Sequence, residues 1–204
     1  MTNRELSSVT RRFAVPTAAL VAALALAHAA EPTPDTKPAP PELLRQMEGN
    51  WTVVQKMWPG RNMAAVDLPT ATVRRRLIQQ SFLEEVMESK PGSTDSFSRI
   101  SNFLFNSTTH RFEYFSLDSR MPQMMNERSG IMNASIAPDE RIQLDGSHFV
   151  APSWGKQANV PFHYRLVVGG VEGDRQVVQL FLTPESGKDR EEFMAFEYQY
   201  VRAR

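Results

Sequence analysis

From Asn50 to the C-terminus the chain keeps one habit: apolar and polar residues alternate in short runs that end at turn residues. Trp51, Val53 and Met57 alternate with Thr52 and Lys56, and Pro59-Gly60 stops the run. Similar runs follow at 70–79, 81–88, 97–106, 110–119, 123–136, 141–144, 147–150, 162–168, 176–182 and 192–202. Turn chemistry separates them: Lys90-Pro91-Gly92, Asn106-Ser107-Thr108-Thr109, Pro138-Asp139-Glu140, Asp145-Gly146, Gly169-Gly170 and Pro184-Glu185-Ser186-Gly187. A period of two places successive side chains on opposite faces, so each run buries one face. About ten such strands, with no helical period between them, predict an all-β antiparallel up-and-down barrel. Residues 75–86 also admit a helical reading, since Leu77, Phe82 and Val86 could share a helix face. Two strands joined at Gln80-Ser81 fit the turn pattern better.

What precedes this region is different in kind. Arg4, Arg11 and Arg12 face a single acid, Glu5, and an uncharged apolar run covers 13–26. The run closes on Ala27-His28-Ala29-Ala30, a small-x-small cleavage pattern, so residues 1–30 are expected to be an export signal cut near Ala29 or Ala30. The run is too short to span a bilayer stably, and no transmembrane span is expected in the mature form. The arginine pair fits a twin-arginine signal, while the residues after it fit poorly, which favours the general secretory route. The expected location is periplasmic or secreted. Pro32, Pro34, Pro38, Pro40 and Pro41 make 31–41 an extended tether, because proline fixes φ and removes a donor. Residues 42–204 remain as one domain, opened by a helical turn from Glu42 to Glu48 that ends at Gly49.

Composition removes several function classes. The chain balances 23 basic against 23 acidic residues, and no basic block stands out, which argues against a nucleic-acid partner. It has no cysteine, hence no disulfide, thiolate metal site, lipid-modified cysteine or cysteine nucleophile. An exported chain of this kind must be held by its core, and the domain is long enough to build one.

Strand phase nominates interior residues. Phe97, Arg99, Ser101, Phe103 and Phe105 share one face; Met194, Phe196, Tyr198, Tyr200 and Arg202 share another; Val178, Leu180 and Leu182 share a third. A barrel of this size encloses either packed side chains or one small-ligand cavity. Aromatic and methionine side chains around a lone arginine suit a cavity with a polar anchor. Phe103, Phe115, Met132 and Tyr198 are the expected lining, with Arg99 unpaired and anchoring a polar or anionic group. The expected partner is a small apolar or amphipathic molecule.

Catalytic patterns are sparse. Glu84, Glu85 and Glu88 form the densest carboxylate group, but adjacent strand residues point to opposite faces, so Glu84 and Glu85 cannot share a site. A solvated face, or pairing with Arg74-Arg75-Arg76 across a hairpin, accounts for them. His110, His148 and His163 lack the spacing of a zinc site. His163, taken as interior by strand phase, is the candidate for haem, weighed against a surface or hydrogen-bonded histidine. Ser153, His163 and Asp145 make a triad on paper, without a nucleophile-elbow motif. Met121, Met124 and Met125, joined by Met132, have the thioether spacing that binds copper(I), although methionines also line apolar mouths. No cofactor is expected; a haem- or copper-using enzyme or carrier is the alternative, and a packed module of the cell envelope is a third reading.

Gly49-Asn50-Trp51, placed between a helical turn and the first strand, resembles the lipocalin signature. That resemblance implies a tryptophan packed across the closed end of the barrel beneath an arginine of the last strand, for which Arg202 is the match. A longer series runs in order through the domain: 44–51, Trp58-Pro59-Gly60, Arg76-Leu77, Phe82-Leu83-Glu84-Glu85, 106–112, Asp145-Gly146 and Phe196-Glu197-Tyr198-Gln199-Tyr200. It resembles an uncharacterised, calycin-like bacterial family, domain of unknown function 1579, whose members are often exported. Where that family carries a glycine-rich strand, 100–106 has no glycine. The resemblance implies a barrel and a ligand-binding habit, and supplies no reaction.

Overall fold

A computed structural model describes residues 40–93, 96–120, 133–136, 141–154, 157–187 and 190–204. One short helix, α1 (Pro40–Gln46), leads into β1 (Gly49–Met57), β2 (Val66–Ile78), β3 (Phe82–Ser89), β4 (Ser98–Asn106) and β5 (Arg111–Asp118). The second half holds β6 (Asn133–Ile136), β7 (Ile142–Trp154), β8 (Gln157–Val168), β9 (Arg175–Pro184) and β10 (Phe193–Arg202). All pairings are antiparallel, in the order β5-β4-β3-β2-β1-β10-β9-β8-β7-β6. The chain is therefore an all-β, up-and-down, nearly closed barrel, as the period-two pattern predicts.

The sheet is continuous where the chain's ends meet, since β1 pairs with β10 from Trp51↔Arg202 to Met57↔Phe196. The seam falls instead between β5 and β6, which lie in contact at the two ends of the strand order. A first-to-last ladder ties the two most distant parts of the sequence together and removes both terminal strands as free edges.

Local chemistry explains most boundaries. Gln79 and Gln80 both have positive φ, and Ser81 N–H bonds the Ile78 carbonyl at 2.9 Å. That is the tight mirror-image turn matching the twist of a β-hairpin, so residues 75–86 form two strands and no helix. The expected break at Asp145-Gly146 is absent: 141–144 and 147–150 belong to the single strand β7, with a register shift between Gly146 and Phe149. A Cβ at Gly146 would lie 2.2 Å from the Tyr164 ring, so this glycine serves a close approach across the ladder, not a turn. Helix α1 starts at Pro40, so the last two prolines assigned to the tether form its first turn, where a missing N–H costs nothing. The expected export signal and the tether before Pro40 lie outside the described residues, as do 123–132 of the expected strand before β6.

The core divides along the barrel axis. A large cluster joins Leu43, Leu44 and Met47 of α1 to Trp51, Val53, Val73, Phe103, Phe112 and Tyr200. A smaller one, Ala151, Val160, Phe162, Leu182 and Ala195, sits on the strands at the other end. What lies between them positions the candidate site.

Candidate functional site

The closed end is built on Gly49, Trp51 and Arg202. The Trp51 ring is fully buried and its Nε1–H donates to the Met47 carbonyl at 3.0 Å, fastening α1 across the barrel. The Arg202 guanidinium lies 4.2 Å from the Trp51 ring centroid. It donates to the carbonyls of Glu48 (2.5 Å) and Gln46 (2.8 Å), acceptors at the C-terminal side of α1 with no helical partner of their own. Gly49 stands where the chain turns from helix to strand, at φ +126, and a Cβ there would sit 2.7 Å from Arg202 Nη1. Backbone conformation and the space for the arginine both require glycine at this position.

Beneath this plug lies a polar layer. Glu85 Oε2 accepts from Arg75 Nε at 2.8 Å and from the Tyr200 hydroxyl at 3.2 Å, and Oε1 accepts from Arg99 Nη2 at 2.9 Å. Arg75 Nη1 bonds Gln176 Oε1, whose amide donates in turn to the Gly169 carbonyl at 2.8 Å. The Arg75 guanidinium also lies 4.0 Å from the Tyr200 ring centroid, and that of Arg99 4.9 Å from Tyr198. Burial raises the Glu85 pKa, but the charges and hydrogen bonds of Arg75 and Arg99 outweigh it and hold the carboxyl below its ordinary range. Burial, and next Glu85, push the Tyr200 phenol upward, so it stays a neutral donor. For Arg99, desolvation works against the charge, and the surrounding Tyr114, Tyr198 and Glu85 more than restore it.

The layer divides the interior. On the plug side is a void of about 40 Å³ among Met47, Leu83, Phe103 and the polar groups, with room for no more than a few waters. On the other side a chamber of about 310 Å³ runs toward the end of the barrel away from Trp51. Met57, Leu68, Trp154, Leu180, Leu182 and Phe196 form its apolar wall, and Arg99, Tyr114, Ser116, Asp118 and Arg120 its polar patch. Asp118 is fastened to Arg120, which donates from Nε at 2.9 Å and from Nη2 at 2.6 Å. Burial raises the Asp118 pKa, and the bonds from Arg120 override it to hold the carboxylate low. Trp154 is anchored by its own Nε1–H on the Pro59 carbonyl at 2.7 Å, so this wall is held from outside the strands.

Several expected site residues fall elsewhere. Arg99 and Tyr198 border both spaces, whereas Phe103 borders the small void and packs on Phe112 at 5.6 Å between centroids. Arg99 is not unpaired: Glu85 neutralises it in part. Phe115 is 42% exposed and outward-facing, because Tyr114 and Ser116 take the inward positions of β5. Aromatics occupy both phases of Phe112-Glu113-Tyr114-Phe115, so hydrophobicity alone did not settle which face was inner. His163 is outward too, with Nε2 3.2 Å from Glu185, since Phe162, Tyr164 and Leu166 face the interior. That placement removes the geometric basis for an interior haem ligand. It also removes the paper triad, whose Asp145 and Ser153 stand toward opposite ends of β7. Met121, Met124, Met125 and Met132 lie outside the described residues. Among the described residues no group of three His, Cys, Asp or Glu side chains converges as metal ligands do.

Arg75, Glu85 and Gln176, with Leu68 and Trp154 of the chamber wall, were not nominated from sequence, whereas strand phase places Leu180, Leu182 and Phe196 inside. A signal for the pair was present: Glu85 shares its phase with Leu83 and Met87, and Arg75 with Val73 and Leu77. Charge at a core position on facing strands, in register as Arg75↔Glu85, marks an internal pair. The neighbouring pair Arg76–Glu84, at 3.2 Å, is the exposed one expected of the hairpin.

No curated protein matches this chain. The family model described as protein of unknown function (DUF1579) matches residues 37–200, which spans the helix, Gly49 and Trp51 of the plug, the polar layer and β10 as far as Tyr200. With that match extending over most of its length, the chain belongs to the DUF1579 family of proteins of unknown function.

Proposed function

We propose that this chain is an exported, non-enzymatic binding protein that holds a small apolar or amphipathic molecule in the chamber opposite the Trp51 plug. One observation carries the reading. The same barrel is closed and tightly filled at one end, yet keeps about 310 Å³ of apolar-walled space at the other. Protein interiors pack close to crystal density, and apolar space of this size costs stability in a core that has no use for it. The volume falls at the lower end of small-ligand sites, and a few polar groups gathered on one side of an apolar wall are what such sites use to orient a ligand. The basic-then-apolar N-terminus ending Ala29-Ala30 supports export.

Titration of the purified barrel with the neutral fluorophore 1-aminoanthracene tests the binding. A saturable rise with one site per chain is expected, and Leu180→Trp, which fills the chamber, should remove it. A linear, non-saturating response from folded protein would overturn the reading. Mass measurement of protein secreted by a Gram-negative host tests export; an N-terminus at Ala30 or Glu31 is expected, and a full-length chain in the cytoplasm would count against it.

A further inference from the structure

Three guanidiniums and two carboxylates meet along the polar side of the barrel interior: Arg75, Arg99 and Arg120 against Glu85 and Asp118. Their pairing is uneven. Asp118 spends both oxygens on Arg120. Glu85 divides its two oxygens between Arg75 and Arg99 and accepts from Tyr200 as well. One positive charge is left over among these described groups, and Arg99 is where it is least compensated. Arg99 is 8% exposed, and its Nε–H, buried, has no hydrogen-bond partner among the described residues. A buried donor left without an acceptor carries its full desolvation cost, and more so on a charged group. Arg99 also borders the chamber, between the apolar wall and the hydroxyls of Tyr114 and Ser116.

Resting on the binding reading above, we infer that the ligand is an amphipathic monoanion, a carboxylate on an apolar body, with its head at the Arg99 guanidinium and its body along Leu180, Leu182, Phe196 and Trp154. A carboxylate supplies the missing acceptor and the missing negative charge in one group, and a guanidinium edge is a matched donor for it. One orphan donor and one surplus charge suit a monoanion. A phosphate dianion would bring one negative charge more than the layer lacks. An ammonium head would add a second uncompensated cation to a buried site. The orientation follows: the head lies deep, at the polar layer, and the apolar body points toward the end away from the plug.

Calorimetric titration of the wild-type barrel with decanoate, 1-decanol, decyl phosphate and decyltrimethylammonium decides the matter. Decanoate should bind at least about tenfold more tightly than 1-decanol, the size of one charge-assisted hydrogen bond. This holds even though the alcohol leaves water more readily. The ammonium should bind weakest. Arg99→Gln should bring decanoate down to the level of 1-decanol measured on the same variant. Should that variant fold poorly, the four wild-type affinities decide alone. Equal affinity for alcohol and carboxylate, or tighter binding of decyl phosphate, overturns the carboxylate assignment and leaves a neutral-ligand chamber standing. Failure of all four to bind overturns the binding reading itself. A folded Arg99→Gln barrel that keeps the full preference for decanoate moves the anchor away from Arg99.

Discussion

Trp51 and Leu182 are both fully buried on inward positions of the same barrel, yet their surroundings differ. Around Trp51 the chain supplies a helix, a cation over the ring, a carbonyl for the indole N–H and a glycine that makes room for the cation. Around Leu182 it supplies an apolar wall facing about 310 Å³ of space. The polar layer of Arg75, Glu85, Arg99 and Tyr200 separates the two. An up-and-down barrel has two ends that strand alternation treats alike. This one gives stability to one end and space to the other, so the signature at Gly49-Asn50-Trp51 marks the filled end.

The comparison is broken most severely at the layer itself. Glu85→Ala leaves two buried guanidiniums without their carboxylate and should cost about 3–5 kcal/mol in urea unfolding. A loss under about 1 kcal/mol would mean that water reaches the layer freely. The same carboxylate sets an acid limit. Its folded pKa lies below the ordinary value of 4.5, so its contribution is complete above that pH and is lost as pH falls through the folded value. Wild-type stability should drop as pH is lowered below about 4.5, and a Glu85→Gln barrel should show a shallower slope there.

Trp51→Ala should cost roughly 3–5 kcal/mol, as for any fully buried aromatic, and should loosen α1, whose fastening is the indole bond. Amide exchange over residues 43–48 is the sharper readout, because an intact, protected α1 in that variant would show that Arg202 alone holds the plug. The two ends should also answer overpacking differently. Val53→Phe, in the filled half, should cost about 1–3 kcal/mol, whereas Leu180→Trp, beside the chamber, should cost under about 1 kcal/mol and abolish probe binding. Equal costs would mean that the chamber closes up in solution. The smallest effect is expected at the rim of the plug. Arg202→Ala removes a part-exposed cation over a ring and two carbonyl bonds, and should cost about 1–2 kcal/mol with no change in ligand affinity.

Much of the fold was legible because each strand carries its own phase. The inner faces of β4, β9 and the latter part of β10 follow from Phe97 to Phe105, Val178 to Leu182 and Tyr198 to Tyr200 with no tertiary information. Legibility failed where a strand is apolar or polar on both phases. Phe112, Tyr114 and Phe115 offer two candidate faces for β5, and His163 lies among Phe162, Tyr164 and Val167 in a strand with apolar residues on both. It failed differently at Glu85 and Arg75, where pairing across the hairpin was one of two readings but burial of the pair was not. A charged pair can occupy a core phase when facing strands bring its members into register, and that information belongs to the pair.

By itself, then, the amino-acid sequence determined the antiparallel strands, the helix-to-strand entry at Gly49 and the absence of any thiol chemistry, which follow from local rules: alternation, φ requirements and residue inventory. The plug residues Trp51 and Arg202 follow instead from the resemblance of Gly49-Asn50-Trp51 to the lipocalin signature. Tertiary structure decided that β1 and β10 close the sheet while β5 and β6 form the seam, that Asp145-Gly146 bends within a strand instead of ending it, and that one carboxylate serves two arginines. It also decided that Arg99 borders the chamber and keeps one buried donor unspent. The physical reason is range. The bonds of Glu85 to Arg75, Arg99 and Tyr200 span separations of 10, 14 and 115 residues, and only closure of the barrel brings those groups to a common point where their charges can be counted.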